Sequence, residues 1–551
     1  MNTSRPYRRS RRRPASADNL GFNVERLETR EMLSGVVKIS VHGSVLQATG
    51  DDAANDFRIE SVGGVLTVTG NVGTVIDFSD GTFYENRDQV TSFRVATGSG
   101  NDSFEITGIS PLAPVGYLRL FVGDGDNYVE VDNCRFTNVN INSGNGPDFI
   151  TVASTQIGDK HGNLVIQNGD GNSTYGIYSG LGINRSIHGN VTIKAGTGTH
   201  RVTMSGVRVR DGVVTLQSKG TIDASLVNCD KIRSLRVTDH GDSAVGSDHG
   251  VLLENAKIAG AVAIGFGDGS ANVNVVDSTT IDKTLNLRAG ETSLEFNVSN
   301  SIIAGAARVK SQRSLKADIR QSTLSKSYAV TTSGNGVNEI VVGVSTIEGT
   351  FAVNTRDALV SRLKFDNVTV AGNCTVRNAD GASITLIDIS RLGGKLSVVN
   401  GDGSDYLVLS NTRLEGALQI NHGTGESFTA LNFFGQPLRS LRFQSKEGEA
   451  TFGLSDVLLL GVGFIRTGGG NDLVHIEAGG TYPSAFAKSF WVMTEGGNDT
   501  VKIGGSLPSQ VAIFEGRVIV DGGADTDTLE VGISAVFNQP PPIIRNFETI
   551  A

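Results

Sequence analysis

The feature that most constrains the fold of this chain is a repeat of about 22 residues that runs through most of its length. Each unit contains a short stretch in which apolar residues alternate with other residues, then a turn, and then a second alternating stretch. Alternation with a period of two residues is typical of β-strands. The most regular units follow one another at intervals of 21 to 23 residues and begin at Lys283, Gly305, Lys326, Gly349, Gly372, Gly394, Gly416 and Arg439.

A unit of this length cannot bury its own apolar face, so successive units must stack and each strand must pair with its copy in the next unit. The repeat therefore predicts an all-β fold, a single-stranded parallel β-helix with about 22 residues per coil. A right hand is expected because parallel crossovers favour it. At roughly 4.8 Å per coil, about 18 or 19 coils would form a rod on the order of 90 Å long. We expect residues 91–517 to form this body, with β caps at 36–90 and 518–551 covering its open edges.

Residues 1–35 differ from the rest of the chain in charge. They hold eight arginines and four acidic residues, so in a protein of net charge −9 the remainder is strongly acidic. An acidic surface disfavours nucleic acid, and we expect no such partner. The arginine run predicts a disordered targeting segment. The sequence has no apolar run of the roughly 18 residues that a transmembrane segment needs.

The stretch FNVERLETREMLSG at 22–35, which follows the arginine run, resembles the N-terminal LEPR-XLL motif of planctomycete surface and secreted proteins. The match departs from the family pattern at Thr29, where the family usually has proline, and at Met32. The resemblance implies a secreted or cell-surface protein. The matching residues are Leu27, Glu28, Arg30, Leu33 and Ser34.

A Gly-x-Gly pair falls seven and nine residues after the start of eight units, as in the GDGSD stretch at 401–405. Repetition at one corner of the coil favours a turn, because glycine permits positive φ without steric cost. Three related stretches, GSGND at 98–102, GGGND at 468–472 and GGND at 496–499, resemble half of the RTX calcium nonapeptide. They lack the tandem spacing that a β-roll requires.

The residue eight positions after the start of a unit, which lies between the two glycines where the pair is present, is acidic in several units. Asp357, Asp380 and Asp402 belong to three consecutive units, so their side chains should stack at intervals of roughly 4.8 Å. Such a column either extends into solvent or binds a hard cation through its oxygen atoms. Two interpretations therefore stay open, solvated turn residues or a Ca²⁺ site that takes Asp405 as an additional ligand.

Three cysteines and a set of small polar residues also recur in register with the repeat. Cys374 occupies the unit position of Leu396 and Leu418, which predicts a small core residue, and the spacing of all three cysteines predicts neither a zinc cluster nor a disulfide framework. Stacked hydroxyl groups are expected to bond to the backbone. The polar positions are Thr279, Ser301, Ser322, Ser345, Ser390 and Thr412.

The fold alone does not determine a function, because parallel β-helices include pectin-cleaving enzymes. A lyase would need clustered acids with an arginine or lysine base, and a hydrolase paired aspartates near the bond that is cleaved. The sequence contains no nucleophile elbow and no HExxH zinc motif. We therefore predict a secreted or cell-surface protein with a structural or adhesive role and without catalysis. Its partners would be extracellular polysaccharide, envelope or matrix components. A calcium-binding β-solenoid and a polysaccharide lyase or hydrolase are the alternatives, and the oligomeric state is open.

Overall fold

A computed structural model of the protein describes residues 35–71, 73–78, 90–109, 115–179, 186–240, 248–479, 482–539 and 541–551. The arginine run and the LEPR-XLL-like stretch lie outside these residues. The described chain consists of strands and turns without helices, and its parallel strands stack into a β-solenoid of about 19 coils. The prediction of an all-β parallel β-helix is thus confirmed. No described segment forms a helix long and apolar enough to cross a membrane.

Three walls of parallel strands enclose the core. The first sheet contains the strands Gly35–His42, Val45–Thr49, Thr74–Phe78, Ser92–Gly98, Val115–Val122, Arg135–Ser143, Gln156–Ile157, Leu164–Gln167, Ser186–Ile187, Val191–Lys194, Arg208–Val209, Val213–Ser218, Ser234–Asp239, Val262–Phe266, Leu285–Ala289, Ala307–Ser311, Tyr328–Ser333, Phe351–Arg356, Cys374–Arg377, Leu396–Val399, Ala417–Asn421, Ser440–Gln444, Gly463–Gly469, Phe490–Gly496, Val518–Asp521 and Ile543–Arg545.

The second sheet contains the strands Asp56–Val62, Val65–Gly70, Ser103–Thr107, Asn127–Asp132, Asp148–Ala153, Ser173–Tyr178, Thr199–Ser205, Thr221–Val227, Asp248–Glu254, Gly269–Val276, Thr292–Ser299, Leu315–Arg320, Val337–Gly343, Val360–Asp366, Ala382–Asp388, Asp405–Ser410, Ser427–Asn432, Ala450–Ser455, Leu473–Glu477, Thr500–Ile503, Thr528–Val531 and Thr549–Ile550.

The third wall is built from short strands. One group contains Lys257–Ile258, Thr280–Ile281, Ile302–Ile303, Thr323–Leu324, Thr346–Ile347, Thr369–Val370, Arg391–Leu392 and Arg413–Leu414. A second group contains Pro437–Leu438, Leu458–Leu459, Ser484–Phe486, Ala512–Phe514 and Ala535–Phe537.

The register between coils stacks residues of the same kind. Leu396 pairs with Leu418, and Cys374 pairs with Leu396, so the cysteine takes the core position predicted for it. Cys374 is fully buried, as are Cys134 and Cys229. In the third wall the rings of Phe486 and Phe514 stack with their centroids 4.5 Å apart. Apolar columns of this kind run through the interior, which is the core that a single unit could not build.

One residue with positive φ turns the chain from the second sheet into the third wall in most coils. Asparagine is the most frequent residue there, as at Asn300 and Asn411, because it tolerates the left-handed region better than other residues with a side chain. The predicted hydroxyl column follows this turn. Ser322 Oγ donates to the carbonyl of Arg320 at 2.7 Å and accepts the N–H of Ser301 at 3.2 Å. The hydroxyl groups thus bond within their own coil and to the coil before.

The two ends of the solenoid are paired differently. At the start, Gly35–His42 forms an antiparallel hairpin with Val45–Thr49, and Asp56–Val62 forms another with Val65–Gly70. At the other end, residues 518–551 continue the parallel ladders down to the last strand. The assignment of both segments as caps stays a prediction.

Candidate functional site

The structure brings three of the four predicted calcium ligands into one column. Asp357, Asp380 and Asp402 follow first-sheet strands that pair in register, and all three are exposed at the corner before the second sheet. Asp380 Oδ1 accepts the N–H of Asp402 at 3.3 Å, and Asp402 Oδ1 accepts the N–H of Thr424 at 3.1 Å. Asp357 differs in its backbone, which has a φ of 57°. Two of these carboxylates therefore already connect one coil to the next.

The same bond recurs at this corner in other coils. Asp124 Oδ1 accepts the N–H of Asn145 at 2.6 Å, and Asn145 Oδ1 accepts the N–H of Asp170 at 2.9 Å. Hydrogen bonds from Thr197, the first from its backbone N–H at 2.8 Å, hold the pKa of Asp170 below its usual value. A short side chain with an acceptor oxygen is what the next coil's free amide needs. This bond accounts for aspartate and asparagine at the outer corner without any ligand.

Asp405 does not join the exposed column. Its side chain is buried, Ser383 Oγ donates to Oδ1 at 2.5 Å, and Oδ2 lies 3.1 Å from Nδ1 of His422. The other ring nitrogen of His422 lies 3.0 Å from Thr429 Oγ1. Within the described part of the chain, no three His, Cys, Asp or Glu side chains are grouped as a metal site would require. Calcium binding by the exposed column stays a prediction.

The glycines beside these aspartates are required by the close contact between coils. A Cβ atom on Gly401 would lie 2.2 Å from Oδ1 of Asp380, and one on Gly423 would lie 2.0 Å from the carbonyl oxygen of Gly401. Gly125, in an earlier coil, has a φ of 130°, which side chains disfavour. The Gly-x-Gly pairs therefore lie at bends where coils pack closely, and positive φ occurs at Gly125 but not at Gly401 or Gly423.

The aspartates of the RTX-like stretches, Asp102, Asp472 and Asp499, lie inside the solenoid, and Asp527 of the coil after Asp499 does so too. Asp472, Asp499 and Asp527, which we call the inner aspartate column, are buried in three consecutive coils. Asp472 Oδ1 accepts the N–H of Ala450 at 2.7 Å, and Asp499 Oδ1 accepts the N–H of Asp472 at 2.8 Å. Oδ2 of each aspartate is buried and lacks a hydrogen-bond partner among the described residues. Burial raises the pKa of Asp472 to about 6 and that of Asp499 to about 7.

The sequence interpretation missed that these aspartates point inward, although the pattern contains the necessary signal. Asp499 stands two residues before Val501 and four before Ile503, and both apolar residues are buried. Side chains alternate between the two faces of a strand, so residues of one parity share a face. Asp405 likewise stands two residues before Leu407 and four before Leu409, so it shares their inward face.

A groove of about 920 Å³ lies on the outer face of the first sheet, near the C-terminal end. Two columns of outward side chains line it, since Gln419 pairs with Arg442 and Gln444 pairs with Arg466. We call it the amide–cation groove, after its lining residues Gln419, Asn421, Arg442, Gln444, Lys446 and Arg466.

The first of these columns continues into two aromatic residues. Phe464 pairs in register with Arg442 and with Trp491, the only tryptophan of the chain. The Arg442 guanidinium lies 5.8 Å from the centroid of the Phe464 ring. Both rings are half-buried. An amide, a cation and two aromatic rings thus follow one another along the rod at about 4.8 Å per coil.

A second groove, of about 640 Å³, lies on the second sheet and contains Glu295, Lys316 and Glu339 in register. Carboxylates beside a lysine are the arrangement that the lyase alternative requires. Lys316 Nζ lies 2.8 Å from Glu295 Oε1, and this hydrogen bond raises the pKa of Lys316. A lysine with a raised pKa stays protonated at neutral pH, so Lys316 is a poor base.

Comparisons of the chain with known protein families, with curated proteins and with solved structures found no match.

Proposed function

We propose that the protein is a secreted or cell-surface β-solenoid that has a structural or adhesive role and does not act as a catalyst. The observation that supports this most directly is the register of its outer surface. Ser397, Gln419 and Arg442 occupy the same outward position in consecutive coils, as their pairing requires. Outward side chains therefore follow one another at about 4.8 Å along the rod, and such a row can contact successive units of an extended polymer.

Export is supported by the resemblance of residues 22–35 to the LEPR-XLL motif. Fractionation of the native host tests it, with the wild-type chain expected outside the cell or in the envelope fraction. A variant with Leu27→Asp and Leu33→Asp should accumulate inside the cell. Wild-type protein found only in the cytoplasm would overturn this part of the proposal.

The adhesive role is tested by sedimenting the full chain with insoluble polysaccharide and envelope material, while new reducing ends and unsaturated sugars are measured in the supernatant. We expect retention of the protein without release of either product. Steady product release would show an enzyme and contradict the absence of catalysis. If the protein binds none of the polymers, the adhesive role is contradicted.

A calcium-dependent form of the same role is the second candidate, and the exposed column of Asp357, Asp380 and Asp402 favours it. Calcium at a hundredfold excess over its dissociation constant should stabilise the fold by about 2.7 kcal/mol relative to EDTA. Thermal unfolding of the Asp357→Asn, Asp380→Asn double variant should lose this difference. Asp366→Asn, an exposed aspartate of the second sheet, is the matched control. Coincident curves in calcium and EDTA would leave the column as turn residues.

A further inference from the structure

The amide–cation groove concentrates positive charge in a protein that is otherwise acidic. Arg442, Lys446 and Arg466 all line it, whereas the whole chain carries a net charge of −9. Glu447 and Glu495 also line the groove, but three cations against two carboxylates leave it with a positive charge. Cations that stay close together on an acidic rod create a local site for an anion.

Among the described residues, two of these three cations have no carboxylate partner. Arg466 is paired, because its Nε donates to Glu495 Oε1 at 2.6 Å. No carboxylate of a described residue lies within the 4.0 Å of an ion pair from Arg442 or Lys446. Both side chains are exposed. The hydrogen-bond donors of Arg442 and Lys446 are thus available to an external anion, and a guanidinium suits the planar, two-oxygen face of a carboxylate or sulfate.

The remaining groups around these cations suit a sugar. Asn421 and Gln444 present amides that both donate and accept hydrogen bonds, as hydroxyl groups require, whereas Gln419 Oε1 already accepts a hydrogen bond from Lys395 Nζ at 2.5 Å. Phe464 and Trp491 add a half-buried aromatic surface in the same column as Arg442. Aromatic rings offer a flat apolar contact with a polar edge, which an apolar sugar face can cover. A simple anion would use the cations but neither the amides nor the rings.

We propose that the amide–cation groove binds a segment of an acidic polysaccharide, whose carboxylate or sulfate groups contact Arg442 and Lys446 and whose sugar rings lie against Phe464 and Trp491. This inference rests on the proposed adhesive function and names the class of polymer that it uses. The polymer lies along the rod axis and crosses consecutive coils, because the amides, cations and rings are arranged in that direction.

The test is affinity electrophoresis of the full chain in gels containing polygalacturonate, dextran sulfate, unmodified dextran or single-stranded DNA. We expect the two acidic polysaccharides to retard the wild-type chain and dextran to leave its migration unchanged. Stronger retardation by polygalacturonate would show that the groove prefers carboxylate groups, and stronger retardation by dextran sulfate that it prefers sulfate groups. The Arg442→Gln, Lys446→Gln double variant should bind about tenfold more weakly, since it loses two charged hydrogen-bond donors.

The matched control is Arg362→Gln with Lys364→Gln, which removes two exposed cations from the second sheet and should leave binding unchanged. Trp491→Ala should weaken binding while Trp491→Phe retains it, and equal unfolding midpoints should show that each variant is folded. Equal retardation of the wild-type chain and the groove double variant would overturn the site but leave adhesion standing. Equal retardation by DNA would overturn the polysaccharide class. Absence of binding to any polysaccharide, in gel or as insoluble material, would overturn both proposals.

Discussion

The inner aspartate column should make the C-terminal coils less stable as the pH rises. Asp499 is buried, its Oδ2 has no partner among the described residues, and burial raises its pKa from 3.8 to about 7. One pKa unit corresponds to about 1.4 kcal/mol. Ionised Asp499 therefore costs the folded state about 4 kcal/mol relative to a solvated carboxylate. The corresponding cost at Asp472, whose pKa rises to about 6, is about 3 kcal/mol.

The sign follows from the protons that each state holds. Between pH 3.8 and about 7 the folded state keeps the proton of Asp499 while the unfolded state has lost it. The free energy of unfolding is therefore highest below the ordinary pKa and falls as the pH rises through about 7. Asp499→Asn has no charge to lose and keeps an oxygen for the N–H of Asp472. The variant should gain about 3 kcal/mol over the wild-type chain between pH 5 and pH 8.

The assay is urea unfolding followed by the fluorescence of Trp491, the only tryptophan, which lies in the strand that precedes Asp499. We compare the free energy of unfolding of the variant with that of the wild-type chain and follow how this difference changes with pH. The substitution also alters hydrogen bonding, but that contribution does not depend on pH. Asp402→Asn, on the exposed column, controls for the loss of one negative charge from the exterior. A difference for Asp499→Asn that stays constant from pH 4 to pH 8 would refute the reasoning from burial.

Three further predictions concern the contacts between coils and the buried thiols. Gly423→Ala should lower the free energy of unfolding by about 2 kcal/mol, because the new Cβ would lie 2.0 Å from a carbonyl oxygen. Gly265→Ala, whose new Cβ would have no atom of a described residue within 4 Å, should change the free energy of unfolding by less than about 0.5 kcal/mol in the same urea titration. Ser322→Ala should cost about 1–3 kcal/mol by the same measurement, since the N–H of Ser301 loses its acceptor. Burial raises the pKa of the Cys229 and Cys374 thiols to about 12, so iodoacetamide at pH 8 should label them only after unfolding, as mass spectrometry would detect.

The stacking of coils was predictable because it follows from a repeat that the sequence displays directly. The core position of Cys374 and the hydrogen bonds of Ser322 follow from the same register. The amide–cation groove was not predictable in this way. Gln419, Arg442 and Phe464 belong to different units, and their common column is apparent only after the register between strands is known. Sequence periodicity defines the apolar face of each unit, whereas a surface site depends on outward residues that vary from unit to unit.

The GDGSD stretch shows why its two aspartates need separate physical accounts. Asp402 and Asp405 are three residues apart, yet Asp402 is exposed and Asp405 is buried. Asp402 accepts a backbone N–H from the next coil while water can still solvate its charge. Asp405 is shielded from water and depends on Ser383 and His422 for its hydrogen bonds. Asp499 Oδ1 accepts the N–H of Asp472, but burial of the carboxylate outweighs this bond and raises the pKa to about 7. In a β-solenoid the parity of an aspartate relative to the following apolar residues must therefore be assigned before it is considered as a metal ligand.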